Sequence, residues 1–80
     1  MDELIKRLRE SGFVEKAIYL NVAWTHFKHG LEAGDDIMVR SNNLRIDTVM
    51  DVLEIENFLV KGEYENVSAE IYKMRKERGM

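Results

Sequence analysis

The chain has 80 residues, a mass of 9.4 kDa, no cysteine and no proline. That length allows one domain, 1–80. A folded chain of this mass buries only roughly 63% of its unfolded surface, and no disulfide or thiolate metal site can reinforce it. Hydrophobic residues make up 45% and charged residues 34% of the chain, a globular rather than a disordered balance.

The net charge of −3 is unevenly spread. Residues 1–30 sum to +1, residues 31–70 to −7 and residues 71–80 to +3. The acidic middle repels phosphates, which disfavours nucleic acid as a general partner. No apolar run approaches the ~18 residues of a membrane span. The opening Met1-Asp2-Glu3-Leu4 has no basic region ahead of an apolar core. These features lead us to expect a soluble, cytoplasmic protein with no membrane partner.

In chain order, Met1, Leu4, Ile5 and Leu8 recur at i, i+3, i+4 and i+7, which predicts a helix over 2–10. Asp2 and Glu3 begin it, Arg7 and Arg9 end it, and Gly12 follows, a polarity that suits the helix dipole and a glycine stop. A second helix is expected over 13–29, with Gly30 as its stop. Phe13, Ala17, Leu20, Trp24, Phe27 and Leu31 form one stripe. Val14, Ile18 and Val22 form another, more than a quarter turn away, and Tyr19 and Ala23 widen the first. A helix apolar on most of its circumference is normally covered on most sides.

Asp35-Asp36 reads as a turn, and Ile37-Met38-Val39 has β character. Ser41-Asn42-Asn43 reads as a second turn and Leu44-Arg45-Ile46 as another short extended run. A small hairpin, or a single strand, is the economical reading of 37–46. A third helix is expected to start near Asp47 or Thr48 and to stop before Gly62. Ile46, Val49, Met50, Leu53 and Val60 form its main stripe, with Val52, Ile55 and Leu59 beside it and Asp47, Asp51 and Glu54 on the polar side. A fourth helix is expected after Asn66 as N-cap, with Val67, Ile71 and Met74 inward. The fold class is therefore mainly α: a bundle of three to four helices, with one short hairpin or strand between the second and third. The expected core comprises Leu8, Phe13, Ala17, Leu20, Trp24, Phe27, Val49, Leu53, Val67 and Ile71.

The chemistry-bearing residues are sparse. His26 and His29, with Glu32 one turn on, have a spacing that zinc sites use, but paired polar residues at an exposed helix end are the commoner outcome. Asp35 and Asp36 have no third ligand near them in sequence. No serine or threonine sits in a nucleophile elbow or a phosphate loop. The expectation is no enzyme, no metal and no cofactor.

The acidic row Asp47, Asp51 and Glu54, with Tyr64 as an aromatic anchor, is the candidate surface for binding another protein. Val14, Ile18, Val22, Val52, Ile55 and Leu59 exceed what so few helices can enclose and predict self-association, as a homodimer. The expected function is a small, acidic interaction module that regulates or inhibits a larger protein. The stretch Gly62-Glu63-Tyr64-Glu65-Asn66-Val67-Ser68-Ala69-Glu70-Ile71 loosely resembles the turn and second-helix start of ribbon–helix–helix antitoxins and repressors. That resemblance spans under half of the chain. It implies, as the alternative, a DNA-binding regulator whose two chains pair strands at Ile37–Arg40 or Leu44–Asp47.

Overall fold

A computed structural model describes residues 1–80 and contains four helices and no strand. They are α1 (Asp2–Glu10), α2 (Val14–Ala33), α3 (Asp36–Ile55) and α4 (Glu63–Glu77). The mainly α expectation holds, whereas the hairpin at 37–46 is replaced by the first half of α3. Asp35 is the cause. Its carboxylate accepts a hydrogen bond from the Met38 N–H at 3.0 Å, an N-cap that starts the helix there. The polar cluster read as a turn bonds within and around the helix instead. Ser41 Oγ donates to the Met38 carbonyl at 3.3 Å, and Asn42 Nδ2 donates to the same oxygen at 2.8 Å. No strand remains to pair in the manner of a ribbon–helix–helix dimer.

Gly30 is likewise no stop. Helix α2 runs on to Ala33 and ends at Gly34, whose φ of 68° supplies the left-handed C-cap. With only Gly34 and Asp35 between them, α2 and α3 fold back as an antiparallel pair. Helix α3 ends earlier than the sequence suggests. Asn57 takes a left-handed φ of 57°, and the Phe58 N–H bonds back to the Leu53 carbonyl at 2.9 Å. Residues 56–62 therefore form a connection in which Phe58 meets Phe13 edge-on, ring centroids 5.3 Å apart. The start of α4 is also displaced. Its N-cap is Gly62 rather than Asn66, because the Glu63 carboxylate, held by Arg7, takes the Val60 N–H at 3.2 Å.

Sixteen buried apolar residues form one core. Leu4, Ile5 and Leu8 come from α1, and Ala17, Leu20, Ala23, Trp24, Phe27 and Leu31 from α2. Val39, Ile46, Val49, Met50 and Leu53 come from α3, and Val67 and Ile71 from α4. Of the core expected from sequence only Phe13 stays half-buried. Trp24 and Phe27 stack at 5.7 Å with planes 10° apart. The molecule measures 35 × 22 × 18 Å, its long axis close to the ~30 Å of a 20-residue helix.

Candidate functional site

Helix α3 carries two different flanks, separated by a ridge. Toward α4 lie Asp47, Asp51 and Glu54, at i, i+4 and i+7. Tyr64, on the first turn of α4, reaches across to them, and its hydroxyl donates to the Asp47 carbonyl at 3.2 Å. The four residues read from the sequence as a partner surface are thus brought together. Tyr64 is half-buried, however, with its ring against the core and its hydroxyl engaged, so it frames the acidic row rather than projecting from it.

The row is electrostatically crowded. Asp47 has its carboxyl pushed above the ordinary range, first by burial and then by repulsion from Asp51, with Arg75 pulling the other way. The Tyr64 phenol is held well above its usual value. Burial is the main cause, followed by its contact with Asp51 and the charges of Asp47, Asp51 and Glu54. Some relief comes from Asn43, whose Nδ2 donates to Asp47 Oδ2 at 3.3 Å while its Oδ1 accepts from Arg75 at 2.9 Å.

A raised carboxyl pKa means that the fold binds the Asp47 proton more tightly than the unfolded chain does. Ionisation therefore costs stability as pH rises through that folded value. Asp47→Asn is expected to stabilise the fold slightly at neutral pH, by no more than the ~0.5 kcal/mol typical of surface changes. The gain should fade in acid as the wild-type carboxyl takes up its proton. A thermal melt series from pH 3 to pH 8 checks this, and a variant less stable than wild type at pH 7 contradicts the electrostatic account.

Beside the acids runs an apolar ridge that the sequence reading missed. Ile37, Leu44 and Ile55 are 80%, 67% and 79% exposed. They lie on one line of α3, because seven and eleven residues are about two and three turns. The spacing was visible in the sequence, but reading 37–46 as extended placed Ile37 and Leu44 on different elements.

The α2 flank of α3 is different in character. Tyr19, Val22, Ala23 and His26 of α2 line a shallow groove with Asn42 and Arg45 of α3. At the other end of the pair, Lys16 Nζ meets Glu56 at 3.6 Å. Val14, Ile18 and Val22 are exposed along α2, and Val52 and Ile55 along α3. Leu59 is half-buried against the monomer's own core, in the connection after α3. Asn42 is the one buried polar residue, and its amide is satisfied on both sides, by Met38 and by Arg45 at 3.2 Å.

His26 and His29 are exposed on α2, and no group of three or more histidine or acidic side chains comes together in a way that would hold a metal ion. No helix is long and apolar enough to cross a membrane. No protein-family model, no curated protein and no solved structure matches this chain.

Proposed function

We propose that this chain is a small protein-interaction module without enzymatic activity. It self-associates as a homodimer and binds a larger protein, which it regulates or inhibits. The observation that carries the reading is the placing of an acidic row directly beside an exposed apolar ridge on α3. Asp51 and Glu54 are exposed, with Ile55 one turn from Asp51, Leu44 about one turn from Asp47, and Ile37 two turns further back along α3. Apolar area supplies affinity, and a one-signed flank supplies orientation and speed of encounter. The matching partner surface is a basic-rimmed apolar groove. The crowding around Asp47 supports the same reading, since charges kept together against their own repulsion are more common at functional surfaces than elsewhere.

The test starts from a partner isolated from native lysate and identified by mass spectrometry. Asp47→Lys/Asp51→Lys/Glu54→Lys is expected to weaken its binding at least about tenfold, and wild-type binding should fall steeply with salt. Leu44→Asp, which leaves the acids in place, should weaken it too. Intact binding by both variants overturns the assignment of this surface.

A further inference from the structure

Two copies can stack face to face with their helices aligned in two ways, and the charges on the outer face of the α2–α3 pair choose between them. We infer that two copies join through this face about a two-fold axis that crosses the helices. In that arrangement α2 lies antiparallel on the partner's α2, and α3 antiparallel on the partner's α3. The inference rests on the homodimer reading and adds which surface is used and how it is oriented.

The centre of the face is apolar. Tyr19 and Val22 of α2 stand at its middle, with Val52 of α3 beside them and Ile18 on the outer edge, all exposed. Its two ends carry opposite charge. At one end are Glu15 and Glu56 with the single cation Lys16, 3.6 Å from Glu56, which leaves that end net negative. At the other is the cation Arg45, which shares the groove described above with the His26 imidazole, a polar group that can bond a carboxylate.

These groups are placed symmetrically. The midpoint of Glu15 and His26 falls between Leu20 and Asn21. The midpoint of Arg45 and Glu56 falls between Met50 and Asp51. Both midpoints lie at one level of the pair, because Gly30 faces Val39 near the turn and Lys16 faces Glu56 at the open end. A two-fold axis across the helices at that level sets Glu15 against the partner's His26 and Glu56 against the partner's Arg45. A two-fold axis along the helices instead sets Glu15 against the partner's Glu56 and Arg45 against the partner's His26. Like charges then meet where Glu15 faces the partner's Glu56, and Arg45 is left without an acidic counterpart; juxtaposed like charges are a strong bar to association.

Size is consistent with a second copy as occupant. A stable interface takes about 800 Å² from each partner, which is about 15% of the 5314 Å² that this chain exposes. Two adjacent 20-residue helices, each ~30 Å long and with axes ~8–10 Å apart, present a face of that order.

The absence of cysteine makes the geometry directly measurable. Glu15→Cys chains are mixed with His26→Cys chains, and separately with Glu56→Cys chains, and treated with a short bismaleimide linker. Light scattering at high micromolar concentration reports the mass. The expected result is a dimer in which Glu15→Cys links to His26→Cys and not to Glu56→Cys.

Charge reversal gives the second readout. Arg45→Glu should weaken the dimer about tenfold or more, and Arg45→Glu/Glu56→Arg should restore it, because the two reversed charges face one another across this axis. A monomer at that concentration overturns both the homodimer reading and this inference. A dimer that links Glu15→Cys to Glu56→Cys, or links neither pair, overturns the geometry alone and leaves the homodimer standing.

Discussion

Replacing Gly30 by valine is expected to lower stability by about 3 kcal/mol, and replacing it by alanine by about 1 kcal/mol. Intrinsic helix propensity argues the other way, since alanine in place of glycine inside a helix is worth about 1 kcal/mol. Packing decides the sign. A Cβ at position 30 would stand 3.0 Å from Val39 Cγ2, 3.1 Å from the Val39 backbone nitrogen and 3.2 Å from Met38 Cβ. The methyl of Val39 can rotate aside, but the backbone nitrogen moves only if α3 moves. Overfilling of this kind costs roughly 1–3 kcal/mol, enough to consume the propensity gain with alanine. Valine adds two further carbons in the same gap. For a domain of this size the valine variant should lose over about 12 °C in thermal midpoint. Urea denaturation of the two variants beside wild type checks this. An alanine variant that gains the full ~1 kcal/mol would mean that α2 and α3 do not approach so closely at the turn.

Gly30 also shows why part of the fold was hidden in the sequence. A glycine after a long apolar run reads equally well as a helix stop or as a close-approach site, and only the position of α3 separates the two. The same ambiguity affected 37–46. Val39, Ile46, Val49, Met50 and Leu53 share one helical face, but the row between Val39 and Ile46 is filled by Asn42, a polar residue that breaks the periodic signal. Its burial is tolerated because Met38 and Arg45 satisfy its amide, a fact of three-dimensional neighbours. Where the pattern was unbroken, local spacing was sufficient, aided by end charges in α1 and acting alone for the core stripe of α2.

The candidate surfaces follow the same division. Asp47, Asp51 and Glu54 sit within one continuous periodic stretch and were legible as a row. Tyr64 was legible as their neighbour but not as half-buried, since its depth depends on how α4 crosses α3. Ile37 and Leu44 were not legible as a ridge, because the helix that aligns them had not been recognised. The surplus of apolar residues on α2 was plain from the second stripe, Val14, Ile18 and Val22, set away from the first. Its arrangement about a common level with Glu15, Glu56, His26 and Arg45 needed the register of the antiparallel pair.

Glu63→Gln is expected to cost about 1–2 kcal/mol at pH 7, and the cost should vanish in acid. Glu63 ties the start of the last helix to the first helix. Its Oε1 and Oε2 accept from Arg7 at 2.6 and 2.8 Å, a two-pronged pair between α1 and the first turn of α4. Arg7 also lies over the Phe58 ring at 5.0 Å, so the guanidinium is fixed from a second side. The pair is neither fully sunk nor free. The side chains are 36% and 18% exposed, which places the expected value between the 0.2–1 kcal/mol of surface pairs and the roughly 3–5 kcal/mol of breaking a buried one. Arg7 holds the Glu63 carboxyl below its usual range, its hydrogen bond being the largest cause, and the Val60 N–H adds to this against the opposing effect of burial. A depressed carboxyl pKa contributes stability that is full above the unfolded value of about 4.3 and is lost as pH falls through the folded value. The gap between wild type and Glu63→Gln should therefore be constant from pH 6 to pH 8 and close below about pH 4. Its effect should also be local. Beyond this pair α4 is held by Val67, Ile71, the Tyr64 hydroxyl and the Arg75–Asn43 bond, so amide exchange should accelerate in α4 before it does in α2 or α3. Equal stability of the two proteins at pH 7, or a gap that persists unchanged at pH 3, would show that the Arg7–Glu63 pair does not anchor α4.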